Sequence, residues 1–205
     1  MVEWIMIALA FVCGSLPFSV WLGKVFLQRD VRAFGDGNPG SANVYKAGSK
    51  GLAALVLLLD VTKAAVPVGL SYVNLDIRGA PMVLIAIAPL VGHAFSPFLR
   101  FRGGKALAVA LGMWIGLTLW KASLPALVGV GVGMLLFTSV GWAVMVAQVC
   151  ILAALLLWMP SPILLAAWAL QAVLLAWTHR ADLRHAPRLR RGSTSKGMHT
   201  RGRAA

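Results

Sequence analysis

Seven apolar runs, at residues 4–26, 51–73, 80–99, 106–120, 122–138, 141–159 and 162–178, leave this chain little choice of architecture. A bilayer core needs about 20 apolar residues per crossing helix. Lipid offers the backbone no hydrogen-bond partner, so each run must close its bonds internally as a helix. A membrane barrel is excluded because the runs are continuous and do not alternate. The expected fold is all-α: an integral membrane protein of seven transmembrane helices. The fourth run is short, since fifteen residues make about 22 Å of helix; six crossings with one re-entrant segment is the alternative. Charged residues are only 12% of the 205, against about 25% in a soluble domain.

Charge then orients the helices. With seven crossings, sixteen of the nineteen Lys and Arg fall on one side, leaving Arg78 and Lys121 opposite and Lys63 within a span. Basic loops stay inside, which predicts an external N-terminus and a cytoplasmic C-terminus. Glu3 is the only early charge, and no small-x-small cleavage site follows, so the first run reads as a permanent anchor and not a signal peptide. The net charge of +13 suits an anionic leaflet; no base-stacking module accompanies it, which excludes nucleic acid as the partner. Cys13 and Cys150 lie in apolar runs and read as packing residues. The four histidines have no ligand spacing, so no metal site is expected. Residues 1–186 form one transmembrane domain, and 187–205 a basic cytoplasmic tail expected to be disordered or to lie on lipid headgroups.

Three polar segments interrupt the apolar runs and fall on the same predicted side. The first holds Gly35-Asp36-Gly37-Asn38-Pro39-Gly40-Ser41-Ala42-Asn43, followed by Lys46 and Lys50. Small and turn-forming residues at this density bare backbone N–H groups, as an anion cradle requires, although an ordinary connecting loop uses the same residues. The second ends in Arg100-Phe101-Arg102-Gly103-Gly104-Lys105. Glycines and a lysine opening a helix make an anion site, while Arg100 and Arg102 serve topology. The third is Thr178-His179-Arg180-Ala181-Asp182, in which His179 and Asp182 share a helix face. Ser139 occupies a turn on the same side. His93 reads as a structural histidine between helices. Asp60 and Lys63, i and i+3 at membrane depth, are either functional or a neutralised pair that fixes packing.

Taken together, the segments resemble the bacterial acyl-phosphate:glycerol-3-phosphate acyltransferases. Gly35–Asn43 matches that family's glycine-rich phosphate loop, Gly92–Lys105 its Gly-His…Gly-Gly-Lys segment, and His179-Arg180 its C-terminal His-Arg. The resemblance spans Gly14 to about Arg190. It implies a multi-pass enzyme of the bacterial inner membrane with its active site facing the cytoplasm. Such an enzyme moves a fatty acyl group from acyl phosphate to the 1-hydroxyl of glycerol 3-phosphate, without a cofactor. By resemblance, Gly35, Asp36, Gly37, Asn38, Gly40, Ser41 and Asn43 hold the acyl-phosphate headgroup. Lys46, where the family usually has Arg, and Lys105 with Gly103 and Gly104 grip the acceptor's phosphate. Ser139, His179 and Asp182 line the acceptor pocket, with Lys105, His179 and Ser139 as the catalytic residues.

Two departures carry charge. Asp36 stands where the family often has Ser, and Asp182 where it has Asn; a third, Ala42 for Thr, does not. A like-charge pair at 4 Å costs about 4 kcal/mol at an effective dielectric near 20, so Asp36 is expected to be paired with Lys or Arg. A small transporter or flippase for a phosphorylated metabolite is the competing reading, suited to Asp60 and Lys63, but no internal repeat supports it. The acyl chain is expected to enter from membrane lipid between helices.

Overall fold

In the computed structural model, which describes residues 1–190, every regular element is helical. Ten α-helices follow one another: α1 (Val2–Ser15), α2 (Phe18–Leu27), α3 (Ser41–Lys46), α4 (Lys50–Gly69), α5 (Gly79–Ala94), α6 (Leu107–Thr118), α7 (Trp120–Leu136), α8 (Val140–Trp158), α9 (Pro162–Thr178) and α10 (Arg180–Leu183). Four stretches are long and apolar enough to cross a membrane: Val2–Leu27, Lys50–Asn74, Gly79–Leu99 and Val140–Trp158. Helices α6, α7 and α9 are shorter apolar helices.

The first apolar run is not one helix. It breaks at Leu16-Pro17, where proline has no N–H to continue the ladder. The fourth run is shorter than its apolar stretch: α6 has 12 residues, about 18 Å. It stops at Leu119, whose φ of +54° turns the chain straight into α7.

Small residues set the packing. α4 lies on α6 and α7 on α8, and each contact uses two glycines four apart. A methyl group at Gly112 or Gly116 would collide with α4, and one at Gly129 or Gly133 with α8. This spacing lets membrane helices approach closely, where packing and not water exclusion holds them together. The main core runs through α5, α6, α8 and α9 and contains Met82, Ile85, Leu90, Met113, Trp114, Ile151 and Leu155. A smaller cluster of Val20, Val31, Val44, Ala47 and Val56 pins the first polar segment against α2 and α4.

The start of the basic tail is ordered. Thr138 N–H donates to the Arg188 carbonyl (3.1 Å) and Arg190 N–H to the Leu136 carbonyl (2.8 Å), so residues 188–190 strap the α7–α8 turn. The remainder of the tail, 191–205, lies outside the described residues.

The buried charges are paired with one another. The Lys63 ammonium lies 2.7 Å from Asp60 Oδ1, donates to the Leu16 carbonyl at 3.1 Å, and lies 2.9 Å from His93 Nδ1. Three donors meet three acceptors. The Leu16 carbonyl is available because the helix ends there, so the proline break and the buried lysine belong to one arrangement. His93 is thereby the bonded interhelical histidine that its position suggested.

Candidate active site

All three polar segments meet at one end of the helices, with the α7–α8 turn beside them. They close the mouth of a cavity of about 590 Å³ that continues between α6, α7, α8 and α9. Its mouth carries Asp36, Asn38, Ser41, Lys46, Lys105, Ser139, His179 and Asp182; its shaft is lined by Leu107, Leu111, Trp114, Ile151 and Leu175, among others.

Lys105 is the knot. Its ammonium lies 2.9 Å from Asp36 Oδ2 and 3.5 Å from Asp182 Oδ2. Its N–H donates to Asn38 Oδ1 at 2.9 Å, and its carbonyl accepts from Thr178 Oγ1 at 3.1 Å. One residue thus ties all three segments together. Burial alone would lower the Lys105 pKa, but the two carboxylates outweigh it and raise it. For Asp36, burial pushes upward; the bonds from Lys105, the Asn38 N–H and Asn43, with the Lys105 charge, prevail and hold it at about 2. The pairing expected for Asp36 is present, and Asp182 shares the same partner.

The glycine loop is shaped by Gly35 (φ +59°) and Gly37 (φ +74°), both left-handed. Asp36 Oδ1 accepts from the Asn38 N–H (3.2 Å) and Asn43 Nδ2 (3.0 Å), closing the loop on itself. Asn43 Nδ2 also reaches the Asn38 carbonyl at 2.9 Å, leaving Asn43 Oδ1 buried without a partner. Gly40 caps α3, where the first-turn N–H groups of Ser41 and Ala42 have no intrahelical acceptor. Lys46 lines the cavity and has no carboxylate within salt-bridge distance among the described residues.

Gly103 and Gly104 do something other than the sequence suggested. Their N–H groups donate to the Ala94 and His93 carbonyls at 3.1 and 3.0 Å, completing the end of α5, so these amides are not bare. A methyl group on either would strike His93 or Ala94. Lys105 does not open a helix; α6 begins at Leu107 after Ala106 at φ +61°. The two glycines instead let the 103–105 strap lie flat on α5 and so place Lys105.

His179 is buried, at 1% exposed. Its Nδ1 bonds the Leu175 carbonyl at 2.9 Å, so that carbonyl, and not Asp182, orients the ring. A carbonyl can only accept, which assigns the proton to Nδ1 and leaves Nε2 as an acceptor. Burial lowers the His179 pKa, opposed by the Leu175 bond and supported by the Lys105 charge. Ser139 Oγ is buried without a partner and lines the cavity.

Sequence reasoning missed the shaft's polar residues, Trp114, Gln148 and Gln171. Two glutamines in otherwise apolar runs were the available signal.

Comparison with known proteins bears on family and fold. The family model described as glycerol-3-phosphate acyltransferase matches residues 4–188. A glycerol-3-phosphate acyltransferase of Anaeromyxobacter sp. (strain Fw109-5) is 38% identical over 200 residues, covering 94% of this chain and 95% of that protein. One from Aromatoleum aromaticum is 35% identical over 187 residues, covering 91% and 92%. The crystal structure of PlsY (YgiH), described as an integral membrane glycerol 3-phosphate acyltransferase in its glycerol 3-phosphate form, superposes with a TM-score of 0.79 at 25% identity, over 90% of this chain and 91% of that one.

Proposed function

The chain belongs to the glycerol-3-phosphate acyltransferase family, and we propose that it transfers a fatty acyl group from acyl phosphate to the 1-hydroxyl of glycerol 3-phosphate. The products are lysophosphatidic acid and inorganic phosphate. It is a multi-pass membrane enzyme. The observation that carries the reading is one cavity whose mouth is polar and holds two lysines and whose shaft is mainly apolar, as a reaction joining a water-soluble phosphate to a lipid chain requires.

Seven crossings are the topology we favour. Under it the α2–α4, α5–α6 and α7–α8 connections and the end of α9 share one side, and these are the four places that build the mouth. The positive-inside bias supports a mouth that faces the cytoplasm, and the family reading supports a location in the bacterial inner membrane.

Acyl phosphate is a mixed anhydride and already activated, so the protein's task is to bring two anions together. It must set the acceptor hydroxyl about 3–3.5 Å from the carbonyl carbon. Lys46, at the mouth with no carboxylate partner among the described residues, and Lys105, shared between its carboxylates and an incoming phosphate, supply the positive charge. The first-turn amides of α3 and the loop from Gly35 to Asn43 cradle the donor's phosphate. Ser139 Oγ and Asn43 Oδ1, buried and unpartnered, are available to the acceptor's hydroxyls. The new C–O bond forms to the 1-hydroxyl oxygen, the bond to phosphate breaks, and the proton leaves with the phosphate. His179 Nε2, neutral and aimed by Leu175, orients the attacking hydroxyl.

Purified protein given acyl phosphate should release inorganic phosphate only when glycerol 3-phosphate is present, with lysophosphatidic acid formed in equal amount. Release independent of the acceptor would overturn the reading.

A further inference from the structure

Among the described residues, four side-chain atoms are buried without a hydrogen-bond partner: Asn43 Oδ1, Ser139 Oγ, Trp114 Nε1 and Gln171 Oε1. All four residues line the same cavity. The first two sit at its mouth, where polar reactants explain them. Trp114 and Gln171 lie deep in the shaft, where a hydrocarbon chain would run. They are 0% and 1% exposed.

These two residues and Gln148 stand at a common level. Gln148 is nine residues into α8 from Ser139, Gln171 eight before His179 on α9, and Trp114 nine beyond Lys105 towards the far end of α6. Along α8 and α9 that is about 12–14 Å from the mouth, and Trp114 lies seven residues into α6 from Leu107. Gln171 Nε2 donates to Gln148 Oε1 at 3.0 Å, and Trp168 Nε1 donates to the Gln148 carbonyl at 3.0 Å, fixing α8 to α9 at this height. Beside this pair, Gln171 Oε1 and Trp114 Nε1 are buried with no protein partner among the described residues, on residues that line the cavity. An extended hydrocarbon advances about 1.25 Å per carbon, given single bonds near 1.52 Å at about 111°. It therefore meets this level at about its tenth carbon.

We propose that Trp114, Gln148 and Gln171 form a polar collar that sets the enzyme's acyl-chain preference. The inference rests on the acyl-phosphate reading above. Without a chain, water can serve the collar's donor and acceptor. A saturated chain that ends short of the collar leaves that water in place. A longer one displaces it and puts methylenes against an unpaired N–H and C=O, which weakens its binding. The collar thus discriminates against plain methylenes at one depth.

The test compares octanoyl phosphate with palmitoyl phosphate as donors for the purified wild type, the double variant Gln148→Leu/Gln171→Leu, and Trp114→Phe. Replacing both members of a hydrogen-bonded pair by apolar groups is tolerated far better than removing one, and Trp114→Phe keeps a ring in place if the double variant does not fold. The palmitoyl-to-octanoyl ratio of kcat/KM should rise about tenfold in the double variant, the factor corresponding to about 1.4 kcal/mol, and severalfold in Trp114→Phe. Both donors falling or rising together, with the ratio unchanged, would show that these residues only pack and would overturn the collar. Failure of wild type to use either acyl phosphate is a different result: it removes the donor assignment itself, and the collar with it.

Discussion

The Lys105 ammonium lies 2.9 Å from Asp36 Oδ2, so the cation at the centre of the mouth is already engaged by a carboxylate from the glycine loop. Asp182 approaches the same ammonium at 3.5 Å. An incoming phosphate must therefore compete with two carboxylates for Lys105.

Asp36→Ser relieves that competition. Activity should be at least that of the wild type, with the KM for glycerol 3-phosphate falling severalfold, because a charge-assisted bond of about 1.5–3 kcal/mol no longer competes. Steady-state kinetics with varied acceptor check this. A collapse of turnover would show that the carboxylate, which also closes the loop through Asn38 and Asn43, has a positive role.

Lys105→Ala removes the ammonium shared by Asp36 and Asp182 and leaves both carboxylates facing the substrate phosphate, while the backbone bonds to Asn38 and Thr178 remain. Turnover should fall about 100- to 1,000-fold, the usual cost of losing one electrostatic donor to a transition state. Full activity in this variant would exclude the anion clamp.

His179 should be neutral at working pH. Burial moves its pKa below the ordinary 6.5, and a lowered imidazole pKa means that the proton is bound less readily in the folded protein than in the unfolded one. Its stabilising contribution is therefore complete above pH 6.5 and is lost as pH falls below it towards the folded value. Activity attributable to this residue should be level from pH 7 to 8 and decline only in the acid range. His179→Ala should retain measurable turnover and lose the acid limb of the profile.

Lys63→Met breaks a buried ion pair whose side chains are 3% and 5% exposed. An uncompensated buried carboxylate costs about 3–5 kcal/mol, so the melting temperature in detergent should drop sharply. Adding Asp60→Leu should recover most of the loss, since both charges are then gone. No recovery would mean that the bonds to Leu16 and His93 matter more than the pair.

Gly104→Ala drives a methyl group into the His93 ring. Overpacking of this kind costs about 1–3 kcal/mol. Because the strap also carries Lys105, catalytic efficiency should fall more than thermal stability does, as paired melting and kinetic measurements would show.

Much of this protein could be read along the chain. The apolar runs specify helices because lipid leaves the backbone no other partner, and a proline at position 17 or a glycine at position 37 acts on its own neighbourhood. The polar segments were legible as a group because the residue types that suit an anion lie close together in sequence. Pairing across the fold was not legible in this way. Asn38 meets Lys105 over 67 positions, and Thr178 meets it over 73. The amides of Gly103 and Gly104 look free until α5 is seen to take them, and His179 looks superficial until the helices close over it. The glutamines of the shaft acquire meaning only when α6, α8 and α9 bring them to one depth. Helix formation is settled by what surrounds each residue's own backbone. Which charges neutralise each other, and which polar atoms are left for a substrate, depends on packing between distant segments, and no local pattern encodes that.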